Sequence, residues 1–102
     1  MITFITTEAS NNHSVETYIM ESGSKIYRKM DIKGVLTAWK DDRYAKIIYQ
    51  LFLNKEEFDK VKVGFGGVSW TFGIHFYGDN YIYIYDKEQF DRALQYLQLS
   101  SL

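Results

Sequence analysis

One hundred and two residues, 46% hydrophobic and 18% aromatic, suffice for one domain with one core and are too apolar for a disordered chain. Twelve basic against thirteen acidic side chains give a formal charge of −1, which argues against a strongly basic nucleic-acid binder and equally against a polyanionic mimic of nucleic acid. Without Cys there is no disulfide frame, thiolate metal site or thiol nucleophile.

No apolar run approaches membrane-spanning length, and the first residues lack the basic start and long apolar middle of a signal peptide. A cytoplasmic protein without a membrane partner is therefore expected. Nine Lys against three Arg, with abundant Ile and Tyr, suggest an AT-rich coding source such as a bacterium, phage or plasmid. The aromatic content favours sheet over helical bundle, because aromatic rings suit a pleated surface.

In chain order, residues 2–6 alternate and predict a short strand, followed by a polar loop over 7–14 that contains His13. Val15, Thr17 and Ile19 share one side of a second strand over 15–20. Gly23 sits in a turn at 21–24, and residues 25–30 return as the hairpin partner.

Residues 32–53 fit two periods. Ile32, Val35, Leu36 and Trp39 fit a helical stripe, as do Tyr44, Ile47, Ile48, Leu51 and Phe52. Ala45, Ile47, Tyr49, Leu51 and Leu53 form an equally good strand face, with Lys46 and Gln50 opposite. A repeat decides between them. Asn54-Lys-Glu-Glu-Phe-Asp-Lys60 matches Asp86-Lys-Glu-Gln-Phe-Asp-Arg92 position by position. Each copy opens with a capping side chain and places Glu57 or Gln89 three residues on, which is the pattern of a capping box. The second copy follows a strand, so the first should too. Residues 44–53 are therefore read as a strand with residues 35–39 as hairpin partner, across a turn holding Asp41, Asp42 and Arg43. Helix follows from Asn54 to about Lys62.

After Gly64-Phe-Gly-Gly67, residues 68–77 alternate strictly, Gly78-Asp79-Asn80 supplies a turn, and residues 81–85 alternate again. A three-residue loop sets Tyr77 opposite Tyr81, Phe76 opposite Ile82, His75 opposite Tyr83, Ile74 opposite Ile84 and Gly73 opposite Tyr85. Trp70, Phe72, Ile74, Phe76, Ile82 and Ile84 then form a core face beneath Phe90, Ala93, Leu94 and Leu97 of a closing helix over 87–99. The fold expected is α+β: a single domain over 1–102 with a mainly antiparallel sheet and two helices on one face, arranged as two ββα units (35–62 and 68–99) after N-terminal strands.

The opposite face collects Thr71, Gly73, His75, Tyr77, Tyr81, Tyr83 and Tyr85. Tyr offers large, rigid, amphipathic contact area, so Thr71, His75, Tyr77, Tyr81, Tyr83 and Tyr85 are the candidate binding residues. The plainer alternative is that Tyr is simply a good strand residue and the face is solvated or covered by the N-terminal strands. Gly64-Phe-Gly-Gly67 reads as a helix end, since a phosphate loop would open a helix and a strand follows here. His13 and His75 have no partner at metal-ligand spacing, and Asp41 and Asp42 suit a turn. No cofactor or metal site is expected, and an enzyme is disfavoured. The first functional reading is a small non-enzymatic protein-binding factor, of an inhibitor or immunity type. The alternatives are single-stranded nucleic acid or nucleotide binding on the Tyr face, which charge does not favour, and a hydrolase using Asp41, Asp42 or His75. A homodimer through the Tyr face or the first strand's edge is left open.

Overall fold

A computed structural model describes residues 2–9, 13–31, 46–67 and 73–99. Among the described residues six strands form one antiparallel sheet in the order β1-β2-β3-β4-β6-β5. They are β1 (Ile2–Ala9), β2 (His13–Met20), β3 (Lys25–Asp31), β4 (Lys46–Phe52), β5 (Ile74–Tyr77) and β6 (Tyr81–Ile84). Helix α1 (Lys55–Gly64) follows β4, and α2 (Lys87–Tyr96) follows β6. These two described helices pack on the same side of the sheet. The expected α+β architecture is thus present.

The last hairpin has the register that alternation requires: Ile74 faces Ile84, His75 Tyr83, Phe76 Ile82 and Tyr77 Tyr81. The Tyr85 N–H continues the pairing by donating to the Gly73 carbonyl at 2.9 Å. Ile74, Ile82 and Ile84 are fully buried under Phe90, Ala93 and Leu94 of α2. Tyr49 and Leu51 of β4 and Ile26 of β3 extend this core, with Phe58 and Val61 of α1 closing it. The Tyr49 ring lies flat on Phe90, 3.8 Å between centroids and 9° between planes.

Two expectations change at the N-terminal end. β1 runs on to Ala9 and β2 begins at His13, so the polar segment is mostly ladder and not loop. Cross-strand pairing overrides polar composition there. Thr6, Thr7 and Glu8 pair with Thr17, Glu16 and Val15, and the β-branched threonines suit the pleat. A register shift between Phe4 and Thr6 absorbs one extra residue, Ile5.

β4 is a strand, as the repeat implied, and is flanked by β3 and β6. The expected partner strand over 35–39, the Asp41–Arg43 turn, Trp70, Thr71 and Phe72 lie outside the described residues. Both edges of β4 are taken, by β3 and by β6, so the two-unit ββα scheme is not confirmed and only its second copy is present among the described residues. Among the described residues the repeat is a repeat of helices. Lys55 pairs with Asp59 and Lys87 with Asp91, at the same places in the two heptads. Asn54 makes the full capping box with Glu57. Asp86 instead accepts from the Glu88 N–H, while the Gln89 side chain accepts from Arg92, so the second box is incomplete. The preceding strands also differ in parity. A 32-residue offset superposes buried Leu51 on Tyr83, which lies on the opposite face of the sheet.

Both helices end alike. Beyond α1 the Gly67 N–H donates to the Lys62 carbonyl and the Gly66 N–H to Val63. Beyond α2 the Leu99 N–H donates to Leu94 and the Gln98 N–H to Gln95. This is the paired closure of a Schellman turn, with Gly66 and Gln98 at positive φ. α2 thus stops at Tyr96, three residues short of the expected Leu99, because its last carbonyls are closed by the turn. The Gly64-to-Gly67 stretch is the helix end that its composition suggested.

Candidate aromatic interface

With the helices on one side, strand alternation sends His75, Tyr77, Tyr81 and Tyr83 to the other. The N-terminal strands continue the same sheet and do not fold across this face. Tyr77 is 52% exposed and Tyr85 39%, whereas His75, Tyr81 and Tyr83 are half-buried against one another. Tyr77 stacks on its cross-strand partner Tyr81 at 5.6 Å. His75 stacks on Tyr85 at 5.6 Å, and Tyr83 tilts against Tyr85 at 6.0 Å. Five of the six candidate residues are therefore assembled; Thr71 lies outside the described residues. Gly73 leaves no gap among the rings. It is buried with φ +87°, and an added Cβ would lie 2.4 Å from the Asp86 Cβ, so only glycine fits the approach of strand to helix cap.

The belt is longer than the hairpin. Because β6 lies beside β4, and β4 beside β3, Tyr81 faces Phe52 and Tyr83 faces Gln50, while Gln50 faces Tyr27. Phe52 stacks on Tyr81 at 4.8 Å and meets the edge of Tyr27 at 5.6 Å. The Gln50 amide donates to the Tyr81 hydroxyl at 2.8 Å and fixes that ring from the neighbouring strand. Phe52, Gln50 and Tyr27 were not among the sequence-based candidates. Parity was the available signal, since Phe52 alternates with Gln50 away from the apolar face of β4.

Beyond Phe52 the belt opens into a shallow notch of about 660 Å³ lined by Val15, Lys25, Tyr27, Lys29, Gln50 and Phe52. Burial pushes the Tyr83 phenol above its ordinary pKa, and the neighbouring Tyr81, Tyr77 and Tyr85 phenols push it further. Tyr83 therefore stays a neutral hydroxyl donor well past neutral pH. His75 is held between the rings of Tyr77 and Tyr85. Among the described residues no three His, Asp or Glu side chains converge as metal ligands. His13 starts β2 instead of lying in a loop. The site offers stacked π faces, phenolic hydroxyls and two ammonium groups, which is equipment for contact.

No protein-family model, curated protein or solved structure matches this chain. No helix among the described residues is long and apolar enough to cross a membrane.

Proposed function

We propose that this chain is a non-enzymatic binding module whose partner is another protein, engaged through the aromatic face of the sheet. The observation that carries this reading is the belt of rings from Tyr27 through Phe52, Tyr81 and Tyr77 to His75, Tyr85 and Tyr83 on the face away from the helices. The core does not require these rings. The helices already bury Ile74, Ile82 and Ile84 from the other side. Aromatic residues at partly exposed positions provide contact area at little entropic cost, because two torsions fix each ring. The near-neutral charge suits a protein partner better than a polyanion. In a cytoplasmic setting such a module would act as an inhibitor or immunity-type factor that occludes a surface of its target.

Capture from a lysate of the native host, read by mass spectrometry, tests this. The triple variant Tyr77→Ala/Tyr81→Ala/Tyr83→Ala should keep the wild-type circular dichroism spectrum and lose the captured protein. Retention of the same partner by the folded variant would reject the aromatic face as the contact.

A second reading is favoured by Lys25 and Lys29 lying beside Tyr27 and Phe52: single-stranded nucleic acid stacking on the rings with its phosphates on the lysines. Tyrosine fluorescence titrated with oligothymidylate separates the two. Nucleic-acid binding requires a response that weakens steeply with salt.

A further inference from the structure

We propose that the notch between β2, β3 and β4 receives an acidic segment of the protein partner, an inference that rests on the aromatic face being the docking surface. Its walls are apolar and aromatic, from Val15, Tyr27 and Phe52, and its charged lining is Lys25 and Lys29 without any carboxylate. Glu8 of β1 sits opposite Val15 on the same face, one strand beyond the lining, whereas Glu16 lies on the helix side of the sheet and is held by Arg28 at 2.6 Å. Among the described residues neither Lys25 nor Lys29 forms an ion pair, so both ammonium groups of the lining are open to a carboxylate from outside. The two lysines flank Tyr27 on one face of one strand. Four residues of strand set their Cα atoms roughly 13 Å apart, so each ammonium addresses a separate carboxylate of an extended segment.

The notch is continuous with the belt. Phe52 lines it and stacks on Tyr81, while Gln50 lines it and holds the Tyr81 hydroxyl. A segment crossing the sheet would lay apolar side chains on the rings and deliver its acids to the lysines at the β3 end. The rings supply contact area. The lysines supply orientation and selection against basic segments, which is what exposed charges do best.

The probe is a short acetylated peptide alternating Glu with Tyr and Leu, followed by nitrogen–proton correlation spectra of the whole protein. The expected result is movement of the Tyr27, Lys29, Gln50 and Phe52 amides. Affinity should be about tenfold weaker in Lys25→Glu/Lys29→Glu and intermediate in Lys25→Gln/Lys29→Gln, with unchanged circular dichroism in both. Equal movement by the peptide with Lys in place of Glu overturns the inference. So does preferential movement of these amides by oligothymidylate, or no movement at all. If the acidic peptide moves only Tyr77, Tyr81 and Tyr83, the acidic notch fails and the aromatic face survives. If, in addition to a silent notch, the triple Tyr variant captures the partner normally, both readings fail.

Discussion

Glu57 has more partners than a capping residue needs. Its carboxylate accepts from the Asn54 N–H at 3.1 Å and so completes the box at the start of α1. It also accepts from the Ser22 hydroxyl at 2.6 Å and from the Ser24 hydroxyl, two residues of the β2–β3 turn. One side chain thus ties a helix terminus to a hairpin thirty-odd residues earlier in the chain. Burial pushes this carboxyl up, but the two serine hydroxyls, the Asn54 N–H and the Lys60 charge together hold it below the ordinary 4.5. A carboxyl depressed in the folded state adds stability above its unfolded pKa, and that stability is lost as pH falls through the folded value. Glu57→Gln keeps a capping acceptor but loses the charge, so it should be destabilised by about 1 kcal/mol near neutral pH, the excess of a charged over a neutral hydrogen bond. The deficit should vanish in urea titrations well below pH 4.5. A deficit independent of pH would show that shape, not charge, makes this contact. In the core the expectation is simpler. Ile84 is fully buried between α2 and the sheet, so Ile84→Ala should cost about 2–5 kcal/mol in the same assay. Unchanged stability would contradict its burial.

The two helices carry a near-identical first turn but end with different residues, and this makes a paired test. Gln98 holds φ +61° in the turn that closes α2, where the corresponding residue after α1 is Gly66. An L side chain in the left-handed region costs roughly 1–2 kcal/mol, which glycine avoids, so Gln98→Gly should stabilise by about 1 kcal/mol. Gly64 gives the opposite expectation. Helix propensity alone favours Ala by about 1 kcal/mol, yet an added Cβ would lie 2.6 Å from the Tyr96 ring carbons. Tyr96 is itself packed edge-on against Phe65 at 5.1 Å and has little room to yield. Gly64→Ala should therefore lower the denaturation midpoint, and a raised midpoint would show that the ring moves freely. Legibility followed the range of the interactions. The last hairpin was readable because alternation, turn residues and register are all local. The β1–β2 ladder differs from the loop expected because Thr, Glu and Ser resemble loop until a partner strand is supplied. Phe52 and Tyr27 join the Tyr face only through the strand order β3-β4-β6, which no local pattern encodes.

At the scale of the whole molecule, cover is uneven across the sheet. The buried residues of the core come from β3, β4, β5, β6 and the two helices, with Met20 at the end of β2 as the outermost strand contribution. β1 contributes none among its described side chains, and its Phe4 and Ile5 are each 50% exposed. The β1–β2 hairpin is held by ladder hydrogen bonds, by the Phe4–Tyr18 ring contact at 5.2 Å, and at its β2 side by the Arg28–Glu16 pair. Such contacts are worth little next to full burial, since a net hydrogen bond contributes about 1 kcal/mol and a solvent-reached ion pair no more. The sheet should then open in steps from the β1 edge inward. In native-state hydrogen exchange, the amides of β1 that bond to β2 should exchange through local opening, with protection well below that of β4 and β6. Protection of β4 and β6 should approach the global unfolding free energy. The consequence for function is direct: the aromatic belt spans β3 to β5, the part of the sheet anchored by the helices, so its rings are presented on the rigid half. Uniform protection from β1 to β6 would mean that the sheet unfolds as one unit and that the rigidity of the belt owes nothing to the helices beneath it.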